Sequence, residues 1–552
     1  MARINYTNGY YEGKVNFKNE KHGRGTMVWN SGDRYEGEWK NGDMHGIGRY
    51  TWTDGGYYDG EWDHDKYHGH GVRVWGSGDR YEGQWTNDKR TGYGVYRWST
   101  GESYEGDFVD TKMHGRGKYY YKDGSCYEGD WRENAKHGRG VRIFASGSRY
   151  EGFYVNDQMH GKGKYTWAEG GYYEGDFVND CFCGYGVRVY RDGVRYEGMW
   201  SGDKRNGKGT CYYKNGSRYE GEWKDDERHG KGKYIWEETS WYEGDFVKGH
   251  FCGNGVRQFK SGARYEGEWK DDKMNGYGRY VWADGGFYEG DFEMDLFHGF
   301  GVREYKGGNR YEGEWAKDKR HGQGTLIYTD GVRYEGEWQE DKMQGVGKYI
   351  WDEKSWYEGD MVDGEFCGHG VRVYESGSRC EGEWKADKAN GRCKYIWSDD
   401  SYYEGDMVDG KFCGNGVRVY SDGGCYEGEF ANDKRHGTGR CAFPDGTTYE
   451  GEWNENLMTG FGIRTLEDGS VHEGRWLEGV ATGFGTRRYA NGDVYEGDWK
   501  EDQWCGHGIV RQRNGITIEG DWSDDSNAEN VIWTLNGETK RGHIANRQFY
   551  QD

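Results

Sequence analysis

A tripeptide that returns at a fixed interval constrains this chain more than any other feature. Tyr-Glu-Gly begins at Tyr11 and Tyr35, and from Tyr35 an equivalent anchor recurs every 23 residues to Tyr495 and a degenerate copy at Ile518. One extra residue separates the first two anchors, and no linker interrupts the series. Repeats of this kind bury their cores by stacking on their neighbours, so the sequence predicts one continuous array.

Each unit has the pattern of two short strands joined by a polar loop. In a strand, successive side chains point to opposite faces, so every second residue shares a face. In the unit that begins at residue 35, the aromatic and glycine positions share one face and the glutamates the other. The predicted structural anchors of this unit are Tyr35, Gly37, Trp39, Gly46, Gly48, Tyr50 and Trp52.

The connections between strands are all short. The polar loop of the same unit is Lys-Asn-Gly-Asp-Met at 40–44, and Asp54-Gly55 precedes the next anchor. Asp-Gly and Asn-Gly dipeptides accept the positive φ angles of tight turns. The predicted fold is therefore all-β: an elongated, twisted, solenoid-like single layer of antiparallel strands. Its predicted divisions are a lead-in at 1–10, 23 repeats at 11–522 and a capping segment at 523–552, with a last hairpin at Leu535-Asn536-Gly537.

Composition decides between disorder and a folded array. A mean hydropathy of -1.19 and a net charge of -22 would ordinarily indicate a disordered chain. Aromatic residues make up 17% of the sequence, however, and each aromatic side chain buries roughly 150–250 Å². We therefore expect a thin core built almost entirely from aromatic rings.

The chain carries no pattern typical of secretion or membrane insertion. Its first residues lack an apolar segment, and no apolar run reaches the roughly 18 residues that a membrane helix needs. The twelve cysteines include no Cys-x-x-Cys pair, which favours reduced thiols over a disulfide framework. These features predict an intracellular, cytoplasmic protein.

The pattern Tyr-x-Gly-x-Trp, then Gly-x-Gly-x-Tyr, resembles the MORN repeat (membrane occupation and recognition nexus) over residues 10–522. Local departures are Cys380, His472 and Ile518 at the anchor tyrosine, and Met361 and Met407 four residues after an anchor. The resemblance implies the same meander. MORN arrays occur in junctophilins, plant phosphatidylinositol phosphate kinases, a histone-lysine methyltransferase, radial-spoke head proteins and cortical scaffolds of protists. Where enzymes carry them, another domain is present, and residues 523–552 are too few for one.

Two functions follow from the resemblance and the repeat purity. The first is a non-enzymatic scaffold for protein–protein interaction, in a ciliary axoneme similar to radial-spoke heads or in a cortical cytoskeleton, with self-association through the array ends. The alternative is an adaptor for membrane phospholipid, which a net charge of -22 disfavours unless one stripe is locally basic. A pI near 5.3 argues against nucleic-acid binding. We expect no catalytic residues, no metal and no cofactor.

Two recurring polar patterns have a structural and a functional interpretation. The glutamates after each anchor, such as Glu266 and Glu268, are either a solvated face or a site for cations or a basic partner. Histidines before Gly-x-Gly, such as His45 and His114, are either hydrogen-bonded hairpin residues or metal ligands. The structural interpretation is favoured for both, because no repeat supplies a clustered ligand set.

A second, longer period is superimposed on the 23-residue period. The tripeptide Gly-Val-Arg ends at intervals of 69 and 46 residues in alternation, at Arg73, Arg142, Arg188, Arg257, Arg303, Arg372 and Arg418. Six of these seven units also place an aromatic residue in the polar loop: Tyr67, Phe182, Phe251, Phe297, Phe366 and Phe412. One explanation is duplication of a five-repeat block, with Val packing on Phe and Arg stacking on a ring. The other is a row of exposed partner contacts about 48 Å apart along one edge.

Overall fold

The computed structural model describes all residues from 1 to 552 and folds them into 49 β-strands with no helix. No segment therefore forms a helix that is long and apolar enough to cross a membrane. The chain divides into two compact units, 1–274 and 275–552.

The strands of the first unit are β1 Ala2–Tyr6, β2 Gly9–Val15, β3 Lys21–Trp29, β4 Arg34–Lys40, β5 Asp43–Thr51, β6 Tyr57–Asp63, β7 Lys66–Val74, β8 Arg80–Thr86, β9 Lys89–Arg97, β10 Ser103–Val109, β11 Lys112–Tyr120, β12 Cys126–Arg132, β13 Ala135–Ile143, β14 Arg149–Val155, β15 Gln158–Thr166, β16 Tyr172–Val178, β17 Cys181–Val189, β18 Arg195–Ser201, β19 Lys204–Tyr212, β20 Arg218–Lys224, β21 Glu227–Glu237, β22 Ser240–Val247, β23 His250–Gln258 and β24 Arg264–Lys270.

The remaining strands are β25 Lys273–Val281, β26 Phe287–Glu293, β27 Leu296–Glu304, β28 Arg310–Ala316, β29 Lys319–Ile327, β30 Arg333–Gln339, β31 Lys342–Ile350, β32 Trp356–Val362, β33 Glu365–Val373, β34 Arg379–Lys385, β35 Lys388–Ile396, β36 Tyr402–Val408, β37 Lys411–Val419, β38 Cys425–Ala431, β39 Lys434–Ala442, β40 Thr448–Asn454, β41 Leu457–Thr465, β42 Val471–Leu477, β43 Val480–Arg488, β44 Val494–Lys500, β45 Gln503–Arg511, β46 Thr517–Asp524, β47 Asn527–Leu535, β48 Glu538–Ala545 and β49 Gln548–Gln551.

Within each unit, every strand pairs antiparallel with the next strand along the chain. In the pair β4–β5, Gly37 lies opposite Gly48 and Tyr35 opposite Tyr50, and a β-bulge follows Gly37. The same register recurs in β12–β13, where Gly129 lies opposite Gly140. This confirms the all-β, single-layer meander in both units.

In the repeats after the first, the turn within the repeat is shorter than the sequence predicted, whereas in the first repeat five residues separate the paired Val15 and Lys21. Lys40 pairs directly with Asp43, so only Asn41 and Gly42 lie outside the strands, with φ of 53° and 103°. Two consecutive positive φ angles match the twist of a two-residue hairpin. The five-residue polar loop was therefore a wrong prediction, since the hairpin twist draws Asp43 and Met44 into the second strand.

The turn between repeats is of a different kind. The N–H of Trp52 donates to the carbonyl of Gly56 at 2.9 Å, and the N–H of Gly55 donates to the carbonyl of Trp52 at 3.2 Å. Of the predicted Asp54-Gly55 turn, only Gly55 has a positive φ, of 87°. The connection is thus a three-residue loop that ends in a left-handed glycine.

Two faces of different chemistry result from this register. On the aromatic face, the anchor ring of Tyr35 is 0% exposed and lies over two glycines, such that a Cβ atom on Gly48 would be 2.2 Å from its Oη. The hydroxyl of Tyr35 donates to the carbonyl of Glu38 at 2.9 Å. Trp62 Nε1 donates to the carbonyl of Gly48 in the preceding repeat at 2.9 Å. On the opposite face, here called the carboxylate face, lie the glutamates that follow each anchor.

The chain ends continue the meander. Strand β1 pairs with β2, and β47 pairs with β48 around Asn536 and Gly537, whose φ values are 47° and 86°. A hairpin therefore lies at the predicted position, but it is not the last, because β48 pairs with β49 around a turn at Asn546 and Arg547.

Candidate functional site

The six aromatic residues predicted as exposed loop contacts lie elsewhere. Phe182 belongs to β17, is 8% exposed, and stacks on Tyr173 with ring centroids 3.9 Å apart. The other five stack on the anchor tyrosines of their own repeats in the same way: Tyr67 on Tyr58, Phe251 on Tyr242, Phe297 on Tyr288, Phe366 on Tyr357, and Phe412 on Tyr403. Placing these rings in exposed loops was wrong, because the two-residue turn brings each of them into a strand on the aromatic face.

The arginines of the Gly-Val-Arg tripeptides stack on rings of the preceding repeat. The distance from the guanidinium carbon to the ring centroid is 3.4 Å for Arg73 on Trp52, 4.8 Å for Arg142 on Tyr121, 4.1 Å for Arg188 on Trp167, 3.5 Å for Arg257 on Trp236, 4.3 Å for Arg303 on Trp282, 3.3 Å for Arg372 on Trp351 and 3.1 Å for Arg418 on Trp397. We call these seven residues the clasped arginines.

The valine of each Gly-Val-Arg tripeptide does not pack on the aromatic residue of its repeat. Val187 lies opposite Glu197 in the β17–β18 pair, on the carboxylate face, whereas Phe182 lies on the aromatic face. Alternation along the strand separates the two side chains. Of the two contacts in the packing explanation, the structure therefore supports the stacking of arginine on a ring and not the packing of valine on phenylalanine.

No clasped arginine has a carboxylate oxygen within 4.0 Å. In Arg188 and Arg303 the buried Nε atom has no hydrogen-bond partner, and in Arg257 the same holds for one terminal nitrogen. Burial lowers the pKa of Arg257 to about 10. These cations are therefore partly removed from water without an ion-pair partner. The turn carboxylates Asp54, Asp352 and Asp399 nevertheless lie close enough to interact electrostatically with Arg73, Arg372 and Arg418.

A second set of arginines on the aromatic face escaped the sequence analysis. Arg90, Arg205, Arg320 and Arg435 are each 115 residues apart, at the position that holds Phe182 in another repeat. Arg205 forms a 3.0 Å ion pair with Asp226 in the next turn, and Arg320 forms one of 3.0 Å with Asp341. The 115-residue interval was the signal that could have identified them.

The carboxylate face carries a network of ion pairs. Lys164 lies 2.9 Å from Glu174, Lys233 lies 2.8 Å from Glu243, and Arg264 pairs with Glu266 at 2.8 Å. No group of three or more His, Cys, Asp or Glu side chains is arranged to hold a metal ion. Paired, exposed carboxylates of this kind fit the solvated face that the sequence analysis favoured.

Open grooves on the carboxylate face contain aromatic side chains that the sequence analysis did not single out. Tyr185 lies in one groove with Lys208 and Glu222, Phe300 in a second and Phe461 in a third. All three occupy the middle of Gly-x-Gly, where the side chain points away from the buried anchor ring. The exposed large side chains at this position are Ile47 (63%), Tyr93 (56%), Tyr185 (50%), Tyr277 (56%), Phe300 (55%), Val346 (57%), Phe461 (52%) and Phe484 (59%).

One repeat replaces the anchor tyrosine and a facing glycine together. Cys380 occupies the tyrosine position and is 1% exposed, and Cys393 occupies the position of the second glycine and is 3% exposed. The Cys393 thiol donates to the carbonyl of Glu383 at 3.2 Å, which is the carbonyl that an anchor hydroxyl would reach. The second thiol thus fills the space of the missing ring and replaces its hydrogen bond. All twelve cysteines are free.

Another repeat replaces the anchor with histidine. His472 is 3% exposed, and neither ring nitrogen has a hydrogen-bond partner. Burial, with the positive charges of Arg487 and Arg464, lowers the pKa of His472 to about 4. His45, by contrast, is half-buried, and its Nδ1 atom lies 3.2 Å from Asp63.

A comparison with known protein families identifies the repeat that makes up this chain. The MORN repeat matches 22 consecutive segments, from residues 11–34 to residues 495–517. The chain belongs to the MORN-repeat family. The predicted copy at Ile518 lies outside the match, although β46 and β47 pair as the other hairpins do. The MORN repeat is a non-enzymatic scaffold that mediates protein or lipid interactions.

Other comparisons add little about this MORN-repeat chain. No curated protein matches it. The TCP domain of SAS-4 (dCPAP) from Drosophila melanogaster is 16% identical over 28% of this chain and 84% of its own, with a TM-score of 0.19. The TCP10 domain of Danio rerio CPAP is 11% identical over 40% and 93%, with a TM-score of 0.15. Virginiamycin B lyase from Staphylococcus aureus is 12% identical over 54% and 97%, with a TM-score of 0.10. Similarities this weak carry no argument about function.

Proposed function

We propose that this MORN-repeat chain is a non-enzymatic structural scaffold that binds other proteins in a ciliary axoneme, similar to radial-spoke heads, or in a cortical cytoskeleton. The observation that carries the proposal is the row of exposed aromatic side chains at the centre of Gly-x-Gly. Tyr185, Phe300 and Phe461 lie in open grooves among charged groups. Exposed aromatic residues with polar surroundings are typical of protein interfaces.

Hydrogen bonds between neighbouring repeats suit a scaffold role. The N–H of Tyr67 donates to the carboxylate of Asp88 at 2.8 Å, and the N–H of Asp88 donates to the carbonyl of Tyr67 at 3.2 Å. Such bonds fix each turn to the next, so the exposed side chains are presented on a preorganised surface. Preorganisation lowers the entropy that binding costs.

Self-association through the array ends belongs to the same proposal. Strand β1 pairs only with β2, and β49 pairs only with β48. Each terminal strand therefore has one unpaired edge, which offers backbone donors and acceptors to another chain.

Phospholipid binding is a second candidate, favoured by the cations on the aromatic face. Arg188 and Arg257 give this face the locally basic stripe that an anionic membrane requires. Co-sedimentation of the full chain at low salt with vesicles of phosphatidylcholine and phosphatidylserine tests it. The candidate fails if the protein stays in the supernatant.

The scaffold function is tested by tagging the full chain in a ciliated cell and pelleting axonemes and cortical cytoskeleton. We expect the protein in the pellet, and cross-linking mass spectrometry should join the groove residues to a second protein. A variant with Tyr185, Phe300 and Phe461 changed to Ser should pellet less while keeping the wild-type melting temperature. A diffuse wild-type protein that stays soluble would contradict the proposal.

A further inference from the structure

In both units, the strands place cations on the aromatic face and few acids. From Ser125 to Ser470, no strand position on this face holds Asp or Glu. The acids of these repeats lie on the carboxylate face or in turns. In each unit of this chain, whose net charge is -22, the strands from Ser125 to Ser470 thus place only cations on the aromatic face, and the carboxylates that reach this face come from turns, as Asp226 and Asp341 do.

Six of the seven clasped arginines form neither an ion pair nor a hydrogen bond within the chain. The guanidinium of Arg188 lies 4.1 Å from the ring of Trp167 and 4.6 Å from the ring of Tyr190. Arg303 lies in the same way 4.3 Å from Trp282 and 4.6 Å from Tyr305. Among the seven, only Arg73 donates an internal hydrogen bond, to the carbonyl of Val74 at 2.9 Å.

The second arginine set provides a contrast within the same face. Arg205 lies 4.1 Å from the ring of Trp223, and Arg320 lies 4.1 Å from the ring of Trp338. Both also donate from Nε to a turn carboxylate at 3.0 Å. The two sets therefore share the ring contact and differ in whether a carboxylate of the chain lies within ion-pair distance.

Half-buried cations without a counter-ion favour an external anion. Partial burial weakens the hydration of a guanidinium, and a carboxylate that pairs with it offsets that cost. Stacking between rings holds the guanidinium plane fixed, and a fixed guanidinium can donate two parallel N–H bonds to one carboxylate. Arg188, Arg257 and Arg303 show this arrangement most fully, and the ring contact recurs at all seven positions of the series.

We propose that the aromatic face docks an acidic protein surface whose carboxylates pair with the clasped arginines. This inference rests on the proposed scaffold function and assigns a partner chemistry to it. A protein surface is favoured over a bilayer because the aromatic face offers no exposed apolar side chain for insertion. Between Ser125 and Ser470, the exposed large side chains in strands, such as Tyr185, Phe300 and Phe461, belong to the opposite face.

The test uses the full chain and a fluorescent glutamate 20-mer as the acidic probe, with anisotropy read at low salt. Arg188→Gln/Arg303→Gln removes two unpaired charges, and Arg205→Gln/Arg320→Gln removes two paired charges from neighbouring repeats. We expect the first variant to raise the Kd roughly tenfold, since a charge-assisted hydrogen bond is lost at each site. The second variant should leave the Kd within about twofold, because Asp226 and Asp341 already neutralise its arginines.

Several outcomes overturn the inference. It fails if the wild type does not bind the probe, if both variants weaken binding equally, or if phosphatidylserine vesicles compete the probe away and bind in the same arginine-dependent manner. A third variant, Arg188→Lys/Arg303→Lys, keeps the charge without the planar fork and should bind with an intermediate Kd. Pelleting with the cytoskeleton distinguishes this inference from the proposed scaffold function. A wild-type protein that fails to pellet contradicts the scaffold function. If Arg188→Gln/Arg303→Gln pellets as fully as the wild type, the scaffold function is retained and the docking of an acidic partner on the aromatic face is refuted.

Discussion

Asp203 and Phe182 join two neighbouring repeats through a reciprocal pair of hydrogen bonds. The N–H of Phe182 donates to Oδ1 of Asp203 at 2.7 Å, and the N–H of Asp203 donates to the carbonyl of Phe182 at 3.2 Å. Asp203 has a φ of 65°, which Asp and Asn tolerate better than most residues. One turn residue therefore fulfils a backbone requirement and binds the repeat before it.

Removing the side-chain hydrogen bond of this pair should destabilise the first unit. Asp203→Ala loses the side-chain acceptor and places a less tolerant residue at positive φ, which together cost about 1–2 kcal/mol. Asp203→Asn keeps an acceptor and the same backbone tolerance, as Asn134 shows by accepting from the N–H of Met113 at 2.8 Å. Urea unfolding of both variants measures the difference. Equal loss in the two would show that the carboxylate charge, rather than the hydrogen bond, stabilises the turn.

The glycines under the anchor rings should not tolerate a methyl group. A Cβ atom on Gly301 would lie 2.4 Å from Oη of Tyr288, so Gly301→Ala must displace the ring or the strand, at a cost of about 2–4 kcal/mol. Gly307→Ala is the matched control, because no atom lies within 4 Å of the position that its methyl group would take. The melting temperatures of the two variants should therefore differ clearly. Similar melting temperatures would mean that the anchor ring moves at little cost.

The two buried thiols at positions 380 and 393 should behave as a coupled pair. Cys380→Tyr alone brings a ring against the Cys393 side chain, and Cys393→Gly alone leaves a void beside Cys380. Each single change should destabilise the second unit, whereas the double change restores the packing of the other repeats. We expect a favourable coupling energy of about 1–3 kcal/mol in a double-mutant cycle followed by urea unfolding. Additive single effects would contradict the compensation.

His472 should make the second unit sensitive to acid. Its pKa is about 4 in the folded chain and 6.5 in an unfolded one, so between these values the unfolded state binds the extra proton. Stability is unaffected above pH 6.5, falls as the pH drops from 6.5 to 4, and levels off below; the total loss is about 3 kcal/mol at most. His472→Tyr removes this term. The gap in melting temperature between variant and wild type should widen from pH 7 to pH 4.5, and a constant gap would refute the assignment.

Two aromatic residues of one strand should separate stability from binding. Phe182→Ala removes a buried ring stacked on Tyr173, which costs about 3–5 kcal/mol. Tyr185→Ala removes a ring that is 50% exposed, so its effect on stability should stay within about 0.5 kcal/mol. Pull-down of cytoskeletal proteins should weaken for Tyr185→Ala only. A loss of partner binding by Phe182→Ala without loss of stability would restore the original partner-loop hypothesis.

Much of the fold was predictable because its rules are local. The period of two in a strand places Tyr35, Gly37 and Trp39 on one face, and a ring over two glycines requires no information from distant residues. The turns were less predictable. Asn41-Gly42 and Asp54-Gly55 look alike in sequence, yet the strand pairing around them gives one a two-residue turn and the other a three-residue turn.

The sequence by itself determined the 23-residue repeat, the antiparallel order and the pairing of rings with glycines, since each depends on neighbours a few residues apart. Only the tertiary structure decided that Phe182 is buried, that Tyr185 is exposed and that Arg205 has a counter-charge while Arg188 has none. These outcomes depend on contacts across repeats. Asp226 reaches Arg205 from 21 residues away, and no local pattern states which arginine a turn carboxylate will reach.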